Sequence, residues 1–132
     1  MSVVVGYVPT AEGDAALRTA IREAGSRKVR LIVIISERGH RFGTDPVELQ
    51  AGADDVRRQL EPTGLRFDVR QTTRGRDVAE DIVDAATAED AQLIVIGLRR
   101  RSPLGKLLLG SNAQRILLDA PCPVLAVKPD PA

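Results

Sequence analysis

The groups best suited to chemistry in this chain are cations gathered in one loop. Arg99, Arg100, Arg101 and Lys106 share that loop with Gly97, Gly105 and Gly110, and Ser111 follows at once. Guanidinium and ammonium groups form charge-assisted hydrogen bonds with phosphate-type anions. Ser111 and Gln114 spell S-x-x-Q, a capping box, so a helix is expected to begin at Ser111. A glycine loop leading from a parallel strand into a helix N-terminus is where α/β proteins hold phosphate, because unpaired N–H groups point outward there. The same arginine run also reads as a solvated loop with no ligand.

Other candidates for chemistry are weaker. His40 is the single histidine and stands in a charged stretch, which suits an exposed surface residue better than a general base. Cys122, the single cysteine, lies between Pro121 and Pro123 with no basic cluster beside it, so it reads as a packed small hydrophobe. One cysteine also excludes an intramolecular disulfide and a cysteine-based zinc site. Asp45 and Asp77 read as helix caps, whereas Glu12, Asp14, Asp54 and Asp55 read as solvated. Catalysis needs a nucleophile, base or metal within mutual reach, and no such spacing stands out, so no enzyme is expected. Gly105-Lys106 begins to resemble a Walker A loop, but Arg100 replaces its first glycine and Leu107 its Ser or Thr. A G-x-G-x-x-G fingerprint is missing after both Val5 and Ile96.

Composition narrows the partner classes. A chain of 132 residues is expected to be one domain, 1–132, with a core of Val, Leu, Ile and Ala, since aromatics are only 2%. That scarcity removes the stacking platforms of single-stranded nucleic-acid binders, and a net charge of +1 offers no global pull toward nucleic acid or anionic membrane. Ser2–Val8 is too short for a signal peptide and is soon followed by Glu12 and Asp14, and no apolar run reaches transmembrane length. A cytoplasmic location is expected.

The elements that must position the basic loop follow from periodicity. Val3–Val8, Leu31–Ile35, Leu93–Ile96 and Val124–Val127 are short apolar runs that suit buried strands. Leu65, Phe67 and Val69 alternate with Arg66, Asp68 and Arg70, the pattern of an edge strand with one wet face. Helices are expected between them. Leu17, Ala20, Ile21 and Ala24 mark the first, after a turn at Pro9–Gly13 and before a stop at Gly25-Ser26. Leu49, Ala53, Val56 and Leu60 mark the second, which Asp45-Pro46 starts with Glu48 three residues on. Val78, Ile82, Ala85 and Ala86 mark the third, with Asp77 and Glu80 repeating the cap spelling, and Ala113, Ile116, Leu117 and Ala120 the fourth. Strict alternation of strand and helix predicts an open α/β sandwich of the flavodoxin or Rossmann kind: a five-stranded parallel sheet, order 3-2-1-4-5, with helices on both faces. The ligand crevice then lies between strands 1 and 4, lined by Tyr7–Ala11 and Gly97–Ser111.

The stretch Leu93–Val127 resembles the universal stress protein family. The family's loop reads G-x2-G-x9-G-[ST] and runs into a helix and a C-P-V-L-like strand. Gly97, Gly110 and Ser111 match it, as do the wordings LLLGS and APCPVLAV, while Arg100 stands where the second glycine belongs. The resemblance covers most of the chain and implies a stress-response regulator responsive to ATP or a related adenine nucleotide, with Mg2+ accompanying it. It carries the ligand contacts onto Val8, Pro9, Thr10, Ile35, Gly97, Arg99, Arg100, Gly110, Ser111, Asn112 and Ala113. Val8 replaces an aspartate that serves the nucleoside end in nucleotide-binding members, and Ile35 matches a position whose backbone faces the adenine. Arg100 either fills the phosphate site or swings outward to clamp phosphate. The resemblance also implies a homodimer through the last strand, Val124–Val127. The alternative is a member that has lost the nucleotide and acts as a dimeric interaction module.

Overall fold

The computed structural model describes residues 1–36, 46–72, 77–99 and 109–129, the side chains of 46–49 excepted. Its elements are β1 (Ser2–Tyr7), α1 (Ala11–Arg27), β2 (Arg30–Ile35), α2 (Pro46–Leu60), β3 (Phe67–Gln71), α3 (Val78–Ala88), β4 (Ala91–Gly97), α4 (Ser111–Asp119) and β5 (Val124–Val127). The strands form one sheet in the order β3-β2-β1-β4-β5, as the alternation predicts. Every pairing is parallel, with Val3 opposite Leu31 on one side and Leu93 on the other.

Apolar runs form these strands because both faces are covered. Val3, Val5, Leu31, Val33, Leu93 and Val95 pack beneath α1 and α2. Their alternate neighbours Val4, Ile32, Ile34, Ile94 and Ile96 pack beneath α3 and α4. The edge strand β3 turns Phe67 and Val69 inward, while Asp68 pairs with Arg70. Arg70 also reaches Glu89, the residue capping the end of α3, and Arg30 at the start of β2 binds the same carboxylate. Those contacts, the Arg70 hydrogen bond foremost, hold the Glu89 carboxyl below its ordinary range. This network joins the end of α3 to β2 and β3.

Several helix boundaries differ from the sequence expectation. Helix α1 begins at Ala11, so Pro9–Gly13 is not all turn; Thr10 is the N-cap, and its hydroxyl accepts from the Gly13 N–H at 3.2 Å. Nor does α1 stop at Gly25-Ser26. It runs to Arg27, and Lys28 closes it at φ 57°, with Lys28 N–H donating to the Gly25 carbonyl and Val29 N–H to that of Ala24. Those two bonds are a Schellman closure, formed here by a lysine in the left-handed region.

Asp77 caps α3 as expected, accepting from Ala79 N–H at 3.0 Å. The buried stripe of α3 includes Ala79 in addition to Ile82, Ala85 and Ala86, with Val78 half-buried beside them. In α2, Ala53, Val56 and Leu60 are buried as the stripe predicts. The cap expected at Asp45, the side chains of Glu48 and Leu49, and His40 lie outside the described residues.

Candidate functional site

Two loops leave the sheet at neighbouring C-terminal strand ends, β1 toward α1 on one face and β4 toward α4 on the other. That reversal opens the crevice expected between strands 1 and 4. One wall is the start of α1. Val8 carbonyl accepts from Thr10 N–H at 2.8 Å and lies directly over Gly13, where an added Cβ would sit 1.8 Å from its oxygen. Only glycine permits that approach.

Gly97, which ends β4, is needed for a related reason. Its missing Cβ leaves room for the main chain of Glu12, whose carbonyl oxygen would be 2.4 Å from such an atom. The first turn of α1 is therefore wedged over the end of β4. This local demand makes Gly97 a packing glycine as well as a loop residue, and it places Glu12, expected to be solvated, half-buried at the crevice. Asp14 is not simply solvated either. It accepts from the Tyr7 hydroxyl at 3.1 Å, and burial, reinforced by this carboxylate, pushes the Tyr7 phenol well above its ordinary range. Asp54 and Asp55 are exposed as expected.

The second wall is the start of α4. Gly110, not Ser111, is the N-cap: its backbone is extended (φ −70°, ψ 169°) and its carbonyl accepts from Gln114 N–H at 3.0 Å. Ser111 is already helical, so the capping box does not form, and the Gln114 side chain donates instead to the Leu109 carbonyl at 3.2 Å. Among the described residues no side chain caps this end. The opening N–H groups of α4 at Ser111, Asn112 and Ala113 thus lack an intrahelical acceptor and carry the positive end of the helix dipole. Arg115 fixes the helix start by binding both Asp77 and Glu80 at the start of α3.

The structure brings Val8, Pro9, Thr10 and Gly97 together at one strand-end crevice, with Gly110, Ser111, Asn112 and Ala113 on the helix beyond it. Ile35 stands at the end of β2, one strand beyond β1, and is buried; its carbonyl already accepts from Thr72 N–H at 2.9 Å. The Thr10 hydroxyl is likewise engaged as a cap. Arg99 is exposed, while Arg100, Arg101, Gly105 and Lys106 lie outside the described residues.

Cys122 is half-buried against the α3/α4 side of the core, and burial pushes its thiol up, which fits a packing role. Among the described residues no group of three or more His, Cys, Asp or Glu could hold a metal, and no helix is long and apolar enough to cross a membrane.

The fold has close counterparts. The sequence profile of the universal stress protein family matches residues 1–128. A universal stress protein of Mycolicibacterium smegmatis is 43% identical over 127 residues, spanning 96% of this chain and 97% of its own. Among solved structures, a universal stress protein of Archaeoglobus fulgidus superposes with a TM-score of 0.81 at 34% identity, covering 97% of this chain and 98% of that one. A universal stress protein of Archaeoglobus fulgidus in complex with dAMP superposes with a TM-score of 0.76 at 28% identity, again covering 97% and 98%. By sequence profile, relatives and fold together, this chain belongs to the universal stress protein family.

Proposed function

We propose that the chain binds ATP or a related adenine nucleotide at the β1/β4 crevice and acts as a cytoplasmic stress-response regulator through conformation rather than catalysis. The observation that carries this reading is the start of α4 beyond the end of β4, where among the described residues no side chain caps the helix N–H groups. The dAMP complex of a family member at 28% identity supports the same ligand class. The described residues offer no acidic set suited to a resident Mg2+, so that ion would arrive with the phosphates of a triphosphate. Thermal shift with AMP, ATP and phosphate at low salt tests the reading. A ligand at a hundredfold excess over its Kd adds about 2.7 kcal/mol, an easily measured rise in Tm. No shift with any anion would refute it. Calorimetry on Arg100→Gly then separates the two roles of Arg100: affinity falls if the arginine clamps phosphate and rises if it fills the site.

A second reading, a dimeric interaction module without nucleotide, is favoured by specific contacts. Val8 offers no side-chain acceptor, the Thr10 hydroxyl is engaged, and the Ile35 carbonyl has a partner. Both readings share a homodimer through β5. Ile94 N–H bonds the Pro123 carbonyl and Leu98 N–H that of Val127, so the alternate residues Val124 and Ala126 turn their N–H and C=O groups to the open edge. Such an apolar edge invites strand pairing. Leu125 there is 37% exposed, and Leu118 on neighbouring α4 is 83% exposed. Leu117, expected in the buried stripe of α4, is also exposed. It is turned about 100° from buried Ile116 and away from the Arg115 side that meets α3. Antiparallel pairing of Val124 with Ala126 of a second copy would set two Leu125 side chains face to face. Leu125→Lys should shift the protein toward monomer by light scattering, and wild-type protein that stays monomeric at high micromolar concentration would refute the dimer.

A further inference from the structure

We infer that Glu12 is the sugar-reading residue of the crevice, its carboxylate accepting hydrogen bonds from the vicinal hydroxyls of a ribonucleotide. This deepens the nucleotide reading above and rests on it. The Glu12 main chain lies against Gly97 at the end of β4, and its Cβ is 3.1 Å from where a Gly97 side chain would begin. Glu12 is half-buried, and among the described residues no hydrogen bond or ion pair engages its carboxylate. The neighbouring Asp14 is committed to the Tyr7 hydroxyl, so Glu12 is the acid of this turn left for a ligand.

Its place along the crevice selects the part of the ligand it meets. Anionic groups belong at the start of α4, and a carboxylate repels them. A base read at the end of β2 lies two strands, about 10 Å, from the end of β4. A nucleotide spanning from Ile35 to α4 therefore carries its sugar across the ends of β1 and β4, beside Glu12. An ionised carboxylate only accepts hydrogen bonds, and its two oxygens match two adjacent hydroxyl donors. Val8 provides no side-chain acceptor at the end of β1, and its carbonyl is engaged by Thr10 N–H, which leaves this task to the next turn.

The test is calorimetric titration of wild type, Glu12→Ala and Glu12→Gln with AMP, 2′-deoxyAMP and 3′-deoxyAMP. Wild type is expected to bind AMP about tenfold or more tightly than either deoxy ligand, the scale of one hydrogen bond to a charged group. Glu12→Ala should lose that preference by weakening AMP alone, and Glu12→Gln, which keeps side-chain bulk and one acceptor, should fall between. Circular dichroism and Tm confirm that both variants fold. Wild-type binding without a hydroxyl preference, or a preference that survives in Glu12→Ala, overturns the role of Glu12 and leaves nucleotide binding standing. Wild type that binds none of the three overturns both.

Discussion

Two glycines in α1 should respond to alanine with opposite signs. An interior helix glycine costs about 1 kcal/mol relative to alanine, so propensity alone favours both Gly13→Ala and Gly25→Ala. At exposed Gly25 an added Cβ meets nothing within 4 Å, and the expected outcome is a gain of about 0.5–1 kcal/mol. At buried Gly13 the same atom would lie 1.8 Å from the Val8 oxygen and 2.9 Å from its carbon. Both obstacles are main chain, so no side-chain rotation relieves them. The first turn of α1 must lift, which strains the Gly13 N–H bond to Thr10 and the seat of Glu12 over Gly97. Overpacking costs about 1–3 kcal/mol and a weakened cap about 1 kcal/mol, against the propensity gain of about 1 kcal/mol. Gly13→Ala should thus be destabilised by about 1–3 kcal/mol, leaving the two variants about 1.5–4 kcal/mol apart.

Urea unfolding at one fixed protein concentration measures this, since any subunit association makes apparent stability concentration-dependent. The m-values should match while the midpoints move in opposite directions. A Gly13→Ala protein as stable as wild type would refute the wedge and restore the turn expected at Pro9–Gly13. Nucleotide titration of the same variant is informative if it folds, because the displaced turn carries Glu12.

Two further outcomes follow from the ends of α1 and β1. Lys28→Gly removes a side chain from the left-handed region while keeping the Schellman bonds, and should add about 0.5–1 kcal/mol, seen as a Tm about 2–5 °C higher; a lower Tm would refute it. Tyr7 has its phenol pKa raised in the folded state, so its contribution is fully present below about pH 10, the unfolded value, and is lost as pH rises toward the folded one. Urea midpoints from pH 8 to 11 should therefore fall more steeply for wild type than for Tyr7→Phe, and parallel curves would refute the assignment. At neutral pH that variant should be less stable by about 1 kcal/mol for the lost bond to Asp14.

Strand identity and order were legible because burial on both faces leaves a local trace. Val3–Val5 and Leu31–Ile35 can only be apolar if helices cover them on each side, and the alternation of Phe67–Arg70 marks the strand with one neighbour. The ends of α1 leave no such trace, because glycine is not punctuation in this helix. Gly13 is required by Val8 across the turn, Gly25 is merely tolerated, and the true stop is a lysine forced into a conformation glycine would adopt more easily. At α4 the spelling S-x-x-Q was one residue late, since Gly110 already has the extended backbone and bonded carbonyl of a cap. The link among Arg30, Arg70 and Glu89 left no local pattern at all, because it joins residues from three separate elements.

The same distinction governs the candidate site. Gly97 could be recognised by its place in a family loop, but its contact with Glu12 joins residues far apart in sequence and exists only once α1 crosses β4. An acid in the first turn of a helix is ordinarily explained by the helix dipole, and nothing in the spacing separates Glu12 from Asp14. The fold separates them: one carboxylate closes onto a buried phenol, the other is left at the crevice. Valine at position 8 therefore does not leave the β1 end without a carboxylate. On the proposal above, the acceptor comes from the helix rather than the strand, beside the sugar rather than the base. A site so arranged should discriminate more strongly among sugars than among bases, which binding of GMP and 2′-deoxyAMP, each compared with AMP, would reveal. A larger loss for GMP than for the deoxy ligand would contradict that placement.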